Sequence, residues 1–272
     1  MKNMPANQAD WSYMKKSSSL KMLARTRLTG NYGTSVSLTL LTGGILLLIN
    51  YLENIFTRSY ENLFAAYIFN TAVSVLFGAF SYLITCGYTY FFLNLCRNKE
   101  LNISNLFYPF RKHPDTFIIT FLITFAINWV ITLPFDFFRI YYILHTENFL
   151  SISIITLICQ LADYLATLFI TLGFALAVPI ILDNPFASSM EALKSSWRMM
   201  KGNRWQVFYV TLSFIGLVIL CVMTLGIGLL WVTPYMETTS SLIYLDIIGE
   251  LDNLNPIKES SGTQEMNPEF YS

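Results

Sequence analysis

From Leu63 to Leu95 the chain runs for 33 residues without a charged side chain. As a helix rising 1.5 Å per residue this stretch would be about 50 Å long. A bilayer's hydrocarbon core, about 30 Å thick, needs only roughly 20 mostly apolar residues to cross it. In water such a helix would expose a continuous apolar surface; across a membrane it matches its surroundings. Being longer than the core, it has to tilt, bend or project, and Gly78 and Gly87 are the expected points of irregularity.

Five further apolar runs cover about 34–52, 117–135, 149–182, 207–223 and 225–248. The third run leads into an expected loop bearing Asp136, Arg139 and Glu147. The fourth is interrupted by one charge, Asp163, and is expected to break near Pro179. The last carries Pro234 and Glu237 and is the weakest of the six. With 54% hydrophobic and 12% charged residues, the chain is far from a soluble domain, where about a quarter of residues are charged. Its 16% aromatic content suits two interfacial belts. The four cysteines, Cys86, Cys96, Cys159 and Cys221, lie in or beside apolar runs and share no metal-ligand or disulfide spacing. Residues 1–33 contain no short apolar region with a cleavage site, so no removable signal peptide is expected. The tail 249–272 is polar and acidic, and disorder is expected there.

Lys and Arg sort by side. Six lie in the N-terminal segment, four in 97–112, four in 194–204 and one in the tail, leaving only Arg58 and Arg139 in the alternate loops. Basic residues in short loops mark the cytoplasmic face, so the N-terminus is placed inside the cell. The fold class expected is all-α: a polytopic transmembrane bundle of about six spans.

Spacing within the chain suggests three helix pairs, each introduced by a cytoplasmic amphipathic elbow helix. Gly30-Asn31-Tyr32-Gly33 precedes the first span, and Gly202-Asn203-Arg204-Trp205 opens the fifth, 172 residues later; His113-Pro114-Asp115-Thr116 sits near the midpoint. Gly87 and Gly173 lie half that distance apart, each near the end of a long span. Ahead of the first span, Leu20, Leu23, Ala24 and Leu28 share one helical face. Ahead of the fifth, Phe186, Met190, Leu193, Trp197 and Met200 form an apolar stripe, with Glu191, Lys194, Ser195, Arg198 and Lys201 on other faces. Asp183 or Asn184 would cap this helix and Pro185 would fit its first turn. Such a helix lies in the anionic leaflet or packs its stripe on the bundle; both readings allow lipid contact.

One polar stripe crosses an apolar run: Thr156, Gln160, Asp163, Thr167 and Thr171. Moved back by 86 residues it falls on Asn70, Ser74, Ser81 and Thr85, with Phe77 where the Asp would be. Intramembrane ionisable groups usually face a bundle interior or a watery cavity, so the stripes are a candidate solute or proton path. The competing reading is polar contact between helices, favoured because no span offers Asp163 an opposing Lys or Arg. His113 and His145 fall on opposite expected sides. No zinc set, phosphate loop or nucleophile elbow occurs, so no catalytic group, metal or cofactor is expected. The basic clusters are short and juxtamembrane; they suit anionic headgroups, and no nucleic-acid partner is expected.

A series of motifs runs in order through the chain, beginning with Arg27-Leu28-x-Gly30-Asn31 and Gly87-Tyr88-x-x-Phe91-Phe92-Leu93. Glu191-Ala192-Leu193 through Met200-x-Gly202-x-x-Trp205 and Leu212-Ser213-Phe214-Ile215-Gly216 follow, and then Thr224-Leu225-Gly226-Ile227-Gly228-x-Leu230-Trp231-x-x-Pro234-Tyr235. In these motifs the chain resembles the bacterial multi-pass membrane proteins of the domain-of-unknown-function 975 family. The resemblance implies a bacterial plasma-membrane protein and brings no reaction with it. The expected role is non-enzymatic organisation of the membrane through lipids or partner proteins; a small-solute transporter or channel is the alternative.

Overall fold

The computed structural model describes residues 17–57, 63–146 and 148–254. Arg58, Glu61, Glu147 and the tail from 255 onward lie outside the described residues, as do the first 16. Described residues form helices and no strand: α1 (Ser17–Leu28), α2 (Tyr32–Phe56), α3 (Leu63–Cys96), a 3₁₀ turn (Ile103–Phe107), α4 (Tyr108–Arg111), α5 (Pro114–His145), α6 (Phe149–Phe174) and α7 (Ala177–Asp183). They continue with α8 (Ser189–Met199), α9 (Arg204–Leu212), α10 (Ile215–Met223), α11 (Leu229–Ile247) and α12 (Glu250–Leu254).

Five stretches among the described residues are long and apolar enough to cross a membrane: Tyr32–Phe56, Ala65–Cys96, Pro114–His145, Leu150–Asp183 and Arg204–Met223. Their outward faces carry Leu47, Leu76, Val130, Leu157, Leu161 and Val222, each more than half exposed. A soluble protein does not present so continuous an apolar belt, and a hydrocarbon surrounding accounts for it. The sixth run is not among these five. Residues 225–228 form a turn, with Leu225 at φ 54° and Gly226 at φ 85°, so the helix starts only at Leu229. Its composition is lowered by Thr233, Glu237, Thr238, Thr239, Ser240 and Ser241, because α11 faces protein: it packs on α1, α2 and α3, and Thr238, Thr239 and Ser241 are buried.

Several boundaries differ from the sequence expectation. α3 is continuous, so Gly78 and Gly87 mark close approaches and not irregularities. A Cβ on Gly78 would lie 2.8 Å from the Phe121 ring, and one on Gly87 only 1.8 Å from the Leu106 carbonyl oxygen. α5 runs ten residues past the expected end of its span, through Asp136 and Arg139, which are no loop residues: Arg139 donates to Asp136 at 2.6 Å, one turn apart. The fourth run does break, between Phe174 and Ala177, a turn ahead of Pro179, whose ring excludes the carbonyl four residues earlier.

The tightest packing collects at one end. Phe91, Phe92 and Leu93 of α3, Ile181 of α7, Leu242 and Leu245 of α11 and Leu20, Ala24 and Leu28 of α1 form one buried cluster. Short helices close this end. α1 packs on α11, the 3₁₀ turn and α4 on α3, and α8 on α7, α5 and α6. We call it the elbow end.

Candidate functional site

Two arrangements at the elbow end bring distant residues together. The first is an ion cluster. Arg97, just past α3, donates through Nη1 and Nη2 to the two carboxylate oxygens of Asp183 at 2.6 and 2.7 Å. Through Nε and Nη2 it also reaches both oxygens of Glu250, at 2.8 and 2.6 Å. Tyr244 donates its hydroxyl to Asp183 at 2.8 Å. Burial alone would lower the Arg97 pKa, but hydrogen bonds to Asp183 and Glu250, together with their charges, outweigh it and hold the guanidinium above its ordinary value. Planar bidentate pairing of this kind suits Arg and not Lys. The ends of α3, α7 and α11 are thereby pinned to one another.

The second arrangement is a cavity of about 1150 Å³ between α5, α6, α8 and α9. Its wall is apolar: Ile123, Ile127 and Ile131 follow one face of α5, and Leu165, Leu168 and Phe169 face them from α6. Lys194, Arg198, Lys201 and Arg204 line it as well, and no Asp or Glu does among the described residues. Arg204 stacks its guanidinium 3.9 Å over the Trp197 ring and 4.8 Å over Phe169.

α8 is set beside the cavity by its own chemistry. Ser188 and Glu191 form a reciprocal capping box, a strong start signal. The helix therefore begins at Ser189, later than the Asp183, Asn184 and Pro185 start expected from sequence; Asp183 ends α7 instead and pairs with Arg97. Phe186 falls before the helix and is 89% exposed, so it does not belong to the stripe. The buried face is Ala192, Leu193, Ser196 and Met200, with Met190 and Trp197 at its edge, on the cavity. Ser196 holds this face in place: its hydroxyl donates to the Gly173 carbonyl at 2.9 Å and accepts from the Leu176 N–H at 3.1 Å. Those backbone groups are left over where α6 breaks, and Ser196 satisfies them. Trp197 then lies against Gly173, where a Cβ would come within 2.4 Å of its ring.

The expected polar stripes are not brought together. α5 packs on both α3 and α6, while α3 and α6 share no extended contact. Gln160 is exposed on the outer surface; Thr156, Asp163 and Thr167 are half-buried, as are Asn70, Ser74 and Ser81. Ser74 donates to Glu53 of α2 at 2.7 Å, and Ser81 gives its carbonyl to Thr85. Asp163 Oδ1 is buried without a hydrogen-bond partner, as is Asn128 Oδ1 on the neighbouring α5. None of the stripe residues lines the cavity. His113 and His145 stand at opposite ends of α5. Among the described residues no three His, Cys, Asp or Glu side chains gather where they could hold a metal.

Sequence reasoning missed the Arg97 cluster. Its one signal is a distance: Asp183 follows Arg97 by 86 residues, the separation of Gly87 from Gly173. No curated protein and no solved structure matches the chain. The signature of one family, described as Protein of unknown function (DUF975), matches residues 14–250. With that match covering most of its length and five helices apolar enough to cross a bilayer, the chain belongs to the DUF975 family.

Proposed function

We propose that the chain is a non-enzymatic protein of the bacterial plasma membrane that organises lipid at the cytoplasmic face. The observation that carries this reading is the pairing of a basic mouth with an apolar wall at the elbow end, where Lys194 and Arg198 of α8 and Lys201 just past it line the cavity. A cationic surface beside exposed apolar rings suits the boundary between headgroups and acyl chains. The elbows and the N-terminus are on the cytoplasmic side, where the basic residues concentrate.

In this reading α11 is a sixth span. At 19 residues it is about 28 Å long, enough to return from the turn at 224–228 to the Arg97 cluster. The layout is three helix pairs. The 3₁₀ turn and α4 dock on the second helix of the first pair, α8 on that of the second, and α1 on that of the third. Both long-span glycines are where the next elbow comes closest. Reporter fusions after Phe56 and after His145 are expected to register outside the cell, and those after Lys112 and after Gly202 inside. An external signal at Lys112 would overturn the orientation.

The lipid role is tested with the full chain in vesicles containing spin-labelled phosphatidylglycerol or phosphatidylcholine. The immobilised fraction is expected to be greater for the anionic lipid. Equal fractions would remove the basis for lipid selectivity. In the same vesicles an imposed proton gradient is expected to decay no faster than in protein-free controls, with wild type and Asp163→Asn alike. Proton entry that depends on Asp163 would instead establish the transporter alternative.

A further inference from the structure

We infer that the cavity between α5, α6, α8 and α9 is a discrete site for one anionic glycerophospholipid, its phosphate on Arg204 and one acyl chain along α5. This rests on the lipid-organising reading and narrows it to a position, a headgroup charge and a chain path.

Arg204 is the first ground. Its Nε is buried and has no hydrogen-bond partner, although leaving a buried charged donor without an acceptor is costly. Arg97, the same residue type at the same end, is saturated by two carboxylates. No ion pair to Arg204 occurs among the described residues, and its guanidinium carbon lies over the Trp197 ring, 3.9 Å from the centroid. The Nε is enclosed by protein, which leaves the Nη groups of this cavity-lining guanidinium to meet phosphate oxygens, the contact for which Arg is suited. Lys201 adds a second cation to the same lining, and no carboxylate there competes.

The wall is the second ground. Ile123, Ile127 and Ile131 recur every four residues along α5, covering about 12 Å of helix towards its middle. An apolar track running along a membrane-spanning helix is parallel to lipid chains. A soluble anion would leave this track unused. At about 1150 Å³ the cavity exceeds the ~300–1,000 Å³ of ordinary small-molecule pockets. It is open at its side, where Leu165 and Phe169 are each 56% exposed and Trp205 is 81% exposed, so a lipid enters laterally from the leaflet.

The test uses full-length protein in phosphatidylcholine vesicles doped with phosphatidylglycerol carrying a photoreactive group midway along one chain, with cross-links located by peptide mass spectrometry. Labelling is expected on the α5 and α6 segments that contain Ile127 and Leu168. Arg204→Gln should lower it about tenfold, the effect of losing one charge-assisted hydrogen bond. Ile127→Trp, which fills the track, should abolish it. The double variant Lys194→Gln/Lys201→Gln changes two exposed residues and should reduce labelling with no change in melting temperature, so the inference stays testable if Arg204→Gln misfolds. The same photoreactive chain on phosphatidylcholine should label these segments about tenfold less. Equal labelling by the two lipids, or labelling confined to other helices, would overturn the site even where the spin-label selectivity persists. Displacement by inorganic phosphate would make it a free-phosphate site and overturn the lipid assignment.

Discussion

Gly87→Ala is expected to unfold a large part of the elbow end, lowering stability in detergent by about 3 kcal/mol, the upper part of the overpacking range. Taken alone, alanine is the better helix former by up to about 1 kcal/mol, so helix propensity argues the other way. The contact decides the sign. The new Cβ would sit 1.8 Å from the Leu106 carbonyl oxygen and 2.5 Å from its carbon. These are backbone atoms, and no rotamer change relieves them. The 3₁₀ turn and α4 would have to lift off α3, exposing Leu106 from full burial and parting the Tyr90 and Tyr108 rings, now stacked at 4.1 Å. Gly43→Ala and Gly44→Ala are the controls: nothing lies within 4 Å of either Cβ, and both should be neutral or slightly stabilising. Thermal unfolding of purified protein reads all three. A Gly87→Ala protein that melts with the wild type would mean that the elbow is not seated on α3.

Arg97→Met is expected to cost about 1–3 kcal/mol, between the small worth of an exposed ion pair and the larger penalty for breaking a buried one, because Asp183 and Glu250 are 25% and 32% exposed. The Arg97 side chain is 11% exposed, and its removal leaves two carboxylates from different helices close together without a cation. Methionine keeps most of the length and the apolar contact, so the loss reports charge and hydrogen bonding. Arg97→Lys should recover only part of the stability, because an ammonium cannot face two carboxylates edge-on. Adding Asp183→Asn and Glu250→Gln to Arg97→Met removes the stranded charges and should restore stability towards wild type, since the penalty lies in the uncompensated acids. Should the triple variant melt as low as Arg97→Met alone, the cluster would be acting through shape and not through charge.

The spans were legible because an uncharged apolar run needs no tertiary information to interpret. Boundaries were legible only where a local signal dominated. α5 continues through Asp136 and Arg139 because those two charges neutralise each other one turn apart; as isolated charges in sequence they read as a loop. The start of α8 was set by Ser188 and Glu191, a capping box that outweighs the more obvious Asn184-Pro185. The composition of α11 understated its position, since Thr238, Thr239 and Ser241 are buried against other helices. The stripe through Asp163 was visible as a period, but a period does not say which neighbour a face meets. The cavity was beyond reach. Its lining comes from α5, α6, α8 and α9, residues 123 to 208, and nothing local marks Ile127 and Arg204 as lining one cavity.

The docking of α1 on α11 sets the order of events during synthesis. Leu20, Ala24 and Leu28 are fully or almost fully buried, yet the helix on which they chiefly pack is encoded about 200 residues later. At roughly 5–20 residues per second, α1 waits on the order of 10–40 s for that partner to leave the ribosome. For that interval its apolar face must rest on the membrane surface or on the insertion machinery. Among the described residues the fold is therefore closed by α1 meeting α11, and a chain that stops before α11 leaves the apolar face of α1 as an exposed mark of incomplete synthesis.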